Sequence, residues 1–178
     1  YNSMYLRSEM CLPCHDMTIR GVEAEITFTE WNRIPGFSMF GGVSCQNCHM
    51  PLKENGYHNH KFTGVDLDLT IPIDQNPLYD DVDLLLSTSA EISFNIQEDF
   101  LDTLVSPGAI ITIPLTVTSL TAHNLPSGTS FNREMWVETE ILHNDEVLYS
   151  SGKIENNEFL DISDEQLLLF TSYLLDED

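Results

Sequence analysis

Cys11-Leu12-Pro13-Cys14-His15 and Cys45-Gln46-Asn47-Cys48-His49 are two copies of C-x-x-C-H, and together they use all four cysteines of the 178-residue chain. The pattern is the attachment signature of c-type haem. Two thiols add across the haem vinyl groups, and the histidine directly after the second cysteine is held under the iron as its proximal ligand. The motifs predict two covalently bound haems c, one on Cys11, Cys14 and His15, the other on Cys45, Cys48 and His49. This decides the fold as well, because a short segment wrapped around two porphyrins needs little core of its own.

Other uses of the cysteines are a zinc site of four thiolates or a pair of disulfides. The histidines weigh against both. The chain has six histidines, so finding one by chance directly after both pairs has odds of about one in a thousand. A four-cysteine zinc site has no use for an imidazole there.

Bis-histidine ligation of two haems needs four imidazoles, and beyond His15 and His49 the chain offers His58, His60, His123 and His143. His60 precedes an aromatic and a glycine shortly after the second motif, with His58 two residues away as its direct competitor. His123 lies in a Pro/Gly loop that can present a distant ligand rigidly. His143 falls at a hairpin tip and reads as a solvated turn residue. Met4 and Met39 are axial alternatives of lower weight; methionine would raise the potential.

Residues 1–65 carry five basic and six acidic side chains, against two basic and 23 acidic in residues 66–178. The acidic part repels nucleic acid and anionic membrane surfaces, suits a basic redox partner, and also keeps an exported protein soluble. No apolar run approaches the length of a membrane span. Thioether attachment takes place on the export side, so the expected location is periplasmic or extracellular. No signal peptide precedes the first motif, and both ends are abrupt, as in a mature or trimmed piece of a longer polypeptide.

The expected fold is mainly β with an irregular haem-binding segment. Residues 1–65 form the dihaem segment, rich in Gly and Pro, with a helical stretch only at Ile26 to Arg33 and with Trp31, Phe37, Phe40 and Phe62 available to pack on the rings. Residues 66–89 read as an acidic linker. Residues 90–178 turn to a period of two: Ile92, Phe94 and Ile96, then Ala109 to Thr118, with Pro114 at an edge or bulge, then Met135 to Ile141 and a turn at His143-Asn144-Asp145 into Glu146 to Ser151. These strands predict an immunoglobulin-like antiparallel β-sandwich. Ser163 to Gln166 before Leu167 to Phe170 has the form of a capping box opening a helix, with an apolar strand as the alternative.

Cys45-Gln46-Asn47-Cys48-His49-Met50-Pro51, preceded by Phe28-Thr29-Glu30-Trp31 and followed by His60-Lys61-Phe62-Thr63-Gly64, resembles the C-x-x-C-H-M-P segment of multihaem cytochromes c related to the cytochrome c-554 group. Ala122 to Thr129, then Arg133-Glu134-Met135-Trp136, is similar to a G-H-x-x-P-T-G…R stretch in the β-domain of such proteins. The resemblance implies distal-ligand roles for His60 and His123. Relatives often place a further histidine where Gly36-Phe37 stands here. By reach, His60 goes to the haem on Cys45 and Cys48, and His123, from far along the chain, to the haem on Cys11 and Cys14. Arg133 is a candidate for pairing with a haem propionate.

The function expected is one-electron transfer, not enzymatic catalysis, since two coordinated imidazoles leave no open position for a substrate. Partners would be redox proteins or, in an extracellular cytochrome filament, other copies of the chain. The alternative is a five-coordinate haem that reduces a small nitrogen or oxygen compound.

Overall fold

The computed structural model describes residues 2–36, 42–96, 106–155 and 159–173. Phe37, Met39 and Phe40 lie outside them. The chain divides into two compact units that are not consecutive stretches: Tyr1–Met10 with Trp31–Ala122, and Cys11–Glu30 with His123–Asp178.

In the first unit, residues 3–10 form short 3-10 turns, the first begun by Asn2, whose side-chain oxygen accepts the Met4 N–H at 3.0 Å. Helix α3 (Cys45–His49) carries the second motif. A nine-residue helix, α4 (Tyr79–Ser87), lies in the stretch read as an acidic linker; Asp80 and Asp81 sit in its first turn, where they offset the unpaired N–H groups. Strands β3 (Ala90–Phe94) and β4 (Leu115–Ser119) pair antiparallel, with Ile92 opposite Val117. β4 is the C-terminal end of the expected longer strand. Pro114, which has no N–H for a ladder, stands just before it, and its carbonyl accepts the Asn95 N–H at 3.0 Å.

In the second unit, α1 (Leu12–His15) carries the first motif, with Pro13 at its start. Strands β1 (Met17–Ile19) and β2 (Val22–Glu25) form a hairpin through Arg20 and Gly21, both at positive φ. Helix α2 (Thr27–Arg33) follows, as the sequence predicts. The expected strand from Met135 to Ile141 divides into β5 (Met135–Val137) and β6 (Thr139–His143) with different partners. β6 pairs with β7 (Glu146–Ser151) through Asn144 and Asp145, the expected hairpin. β5 pairs with β8 (Leu168–Phe170). The helix expected after Ser163 is therefore corrected to its strand alternative: Leu167 to Phe170 is an unbroken apolar run with no polar face for a helix to turn outward.

Among the described residues the strands make four two-stranded antiparallel sheets, and none has the three- or four-stranded layer of a sandwich. Among the described residues the buried apolar ones are few: Trp31, Met50, Val82 and Val137. A chain of this size ordinarily buries about 70% of its surface. Here Tyr5, Leu6, Leu52, Tyr57 and Phe62, all near the second motif in sequence or space, are more than half exposed. A porphyrin seated among them would supply the missing apolar core. Among the described residues no helix is long and apolar enough to cross a membrane.

Candidate haem sites

The second motif is built from the backbone outward. Asn47 Oδ1 accepts the Ser44 N–H at 2.7 Å and the Ser44 hydroxyl at 2.8 Å, fixing the start of α3. The Cys45 N–H donates to the buried Ser8 hydroxyl at 3.1 Å, so the turn at residues 8–10 also caps the helix. Gln46, itself buried, donates its amide to the carbonyls of Arg7 at 2.8 Å and Tyr5 at 3.3 Å. Trp31 Nε1 donates to the Val43 carbonyl at 2.9 Å and secures the approach to the helix.

After the helix, Pro51 to Asn59 folds back on itself. Asn59 N–H donates to Pro51 O and Lys53 N–H to Tyr57 O, each at 2.9 Å. This return sets two imidazoles. His49 Nδ1 meets the carbonyl of Thr63 at 2.6 Å, and His58 Nδ1 meets the carbonyl of Met50 at 2.5 Å. A carbonyl only accepts, so each Nδ1 is the donor in its contact. A histidine that ligates iron through Nε2 is ordinarily held in this way by its other ring nitrogen. His60 is exposed and meets Phe62 edge-to-face, ring centroids 6.3 Å apart. Tyr5, Leu6, Met10, Met50, His58, His60 and Phe62 border one cavity of about 330 Å³.

The first motif occupies the second unit together with His123. In α1 the N–H groups of Cys14 and His15 both donate to the Cys11 carbonyl, at 3.2 and 3.0 Å, so one tight turn spans the motif. His15 Nδ1 faces Glu25 Oε1 at 3.6 Å. The same oxygen accepts the Thr27 hydroxyl at 2.5 Å and the Thr27 N–H at 3.3 Å, and Glu25 is only 7% exposed.

The loop bearing His123 is docked beside this motif by Glu30. Its carboxylate accepts the Asn124 N–H at 3.1 Å, the Asn124 amide at 2.8 Å and the Ser127 hydroxyl at 2.6 Å. Thr27 and Ser127 share a further hydroxyl contact at 2.7 Å. Gly128, at φ +80, lies so close to Glu25 that a Cβ there would come within 2.9 Å of Oε2. His123 Nδ1 donates to the Asn124 carbonyl at 2.8 Å.

The sequence-predicted residues thus fall into two sets. His15 and His123 share one unit, while His49, His58 and His60 share the other. His143 ends β6 at the turn. The residues that sequence reasoning missed are Glu25, Glu30 and the Thr63 carbonyl. Glu30 and Thr63 both lie inside quoted stretches, Phe28 to Trp31 and His60 to Gly64, without a role read for either; nothing local marked Glu25.

None of the four cysteines is in a disulfide, and Cys14 and Cys48 are exposed; among the described residues no group of three or more His, Cys, Asp or Glu is placed to hold a metal ion. The donor set fits haem: at each motif paired thiols on one helical turn and an adjoining histidine, and at the second motif His58, held by the Met50 carbonyl, and His60 beside a largely apolar cavity. No protein-family model, curated protein or solved structure matches the chain.

Proposed function

We propose that the chain is an exported dihaem c-type cytochrome that relays single electrons between redox partner proteins, as its resemblance to multihaem cytochromes of the c-554 group suggests. The observation that carries the reading is His49. It follows directly on Cys48, donates Nδ1 to the Thr63 carbonyl at 2.6 Å, and is followed by Met50, which borders the cavity lined by His58 and His60. The haem supplies the one-electron iron couple.

The protein's own residues attach, orient and enclose. Cys11 and Cys14, and Cys45 and Cys48, provide the thioether positions. His15 and His49 are the proximal ligands. His123 serves the first site from the loop held by Glu30. At the second site His60 is the distal ligand expected by resemblance; His58 competes for it, and the Met50 carbonyl gives His58 the better fixed ring. Tyr5, Leu6, Met10 and Phe62 border the cavity of the second site and would pack against a bound ring there. Dispersed acidic charge in residues 66–178 favours a basic partner.

Two bis-histidine sites predict a low-spin absorption spectrum in the reduced protein that carbon monoxide leaves unchanged. A new band on adding carbon monoxide at native pH would favour the alternative, a reductase with an open iron position. Absence of haem absorption would sink both.

A further inference from the structure

We propose that Glu25 sets the haem of the first motif at a lower potential than the haem of the second, so that an electron held by the chain resides on the second. The inference rests on the dihaem reading and deepens it. The two proximal histidines face different groups through Nδ1: His49 meets a neutral backbone carbonyl at 2.6 Å, and His15 meets a carboxylate at 3.6 Å.

A carboxylate behind an axial imidazole makes the ring a stronger electron donor and places a full negative charge near the iron. Both effects favour the ferric state, which carries one positive charge more. At 3.6 Å the contact is within ion-pair reach though longer than a hydrogen bond, so the charge acts mainly through space. Glu25 is nearly removed from solvent, so screening is weak on its side of the pair, while the His15 side chain, over which the haem would lie, is 58% exposed. Its position is also determined: Thr27 donates twice to Oε1, and Gly128 closes over Oε2. The couple involves one electron and no proton. Reduction takes the electron from an external donor, converts Fe(III) to Fe(II), and breaks no bond in the chain. Glu25 is a positioning and tuning residue, since it acts on the iron through His15.

The test is a potentiometric titration of the haem-loaded protein and its Glu25→Gln variant, with the low-spin EPR signals recorded alongside. The lower of the two potentials should rise by at least a tenfold change in its one-electron equilibrium, about 59 mV. The EPR signal of that haem should shift, the other haem should keep both values, and Glu25→Asp should retain most of the depression. Two haems whose potentials are unaltered in Glu25→Gln, or that move together, would overturn the proposal while leaving the dihaem reading intact. A chain without haem would overturn the reading itself. If Glu25→Gln does not load both haems, Thr27→Val decides. Removing the hydroxyl leaves the carboxylate charge less neutralised, so the lower potential should fall; no change, or a rise, would overturn the proposal.

Discussion

Replacing His123 with Ala should convert one of the two proposed low-spin haems to a high-spin, five-coordinate one that binds carbon monoxide, one equivalent per chain. The expectation follows from the placement of His123 in the same unit as Cys11, Cys14 and His15, with Nδ1 held by the Asn124 carbonyl. The loop itself should stay docked in the variant, because Asn124 and Ser127 still donate to Glu30. The change in spectrum should therefore come with little change in unfolding midpoint. An unaltered low-spin spectrum for both haems would reject this assignment, pointing to His58 or to a histidine from another chain.

The second large effect is on stability. Glu30→Ala removes the acceptor of three hydrogen bonds from two residues, and bonds to charged groups are worth about 1.5–3 kcal/mol each. Glu30 is half-buried, and water can replace part of what is lost, so the expected cost is about 2–3 kcal/mol. Chemical unfolding of the haem-loaded protein measures it. A fraction of the first haem should also turn high-spin, since the loop carrying His123 loses its tether. A change below about 0.5 kcal/mol, the size of an ordinary surface substitution, with an unaltered spectrum, would show that this carboxylate does not hold the loop.

What could be read from the chain alone followed the range of the interactions. The two motifs, α2, β3 and the β6–β7 hairpin are local: five contiguous residues, a short helical stretch, an alternating run, and a turn at Asn144-Asp145 whose positive φ values suit those residue types. α4 was obscured because the cluster Asp80, Asp81 and Asp83 has the composition of a linker, although two of those residues lie where a helix favours negative charge. Leu167 to Phe170 had no period to separate helix from strand, and only pairing with Met135 to Val137 settles it.

The motif residues of each candidate site stand in the sequence as contiguous patterns; the groups that support them do not. Glu25 and His15 are ten residues apart, and Glu30 and Asn124 are 94 apart, so neither contact leaves a local signal. The competition between His58 and His60 has the same origin. Their spacing gives both the same reach from His49. The Met50 carbonyl that fixes the His58 ring enters only once residues 51–59 fold back.

The most direct measurement is the intact mass of the haem-loaded protein after denaturation in acid with a thiol present. Thioether bonds survive that treatment, whereas a merely ligated cofactor is released. The predicted mass is that of the chain plus two haems, with Cys11, Cys14, Cys45 and Cys48 all unavailable to a thiol-alkylating reagent. The mass of the bare chain with four reactive thiols, together with zinc in the native protein, would contradict the account.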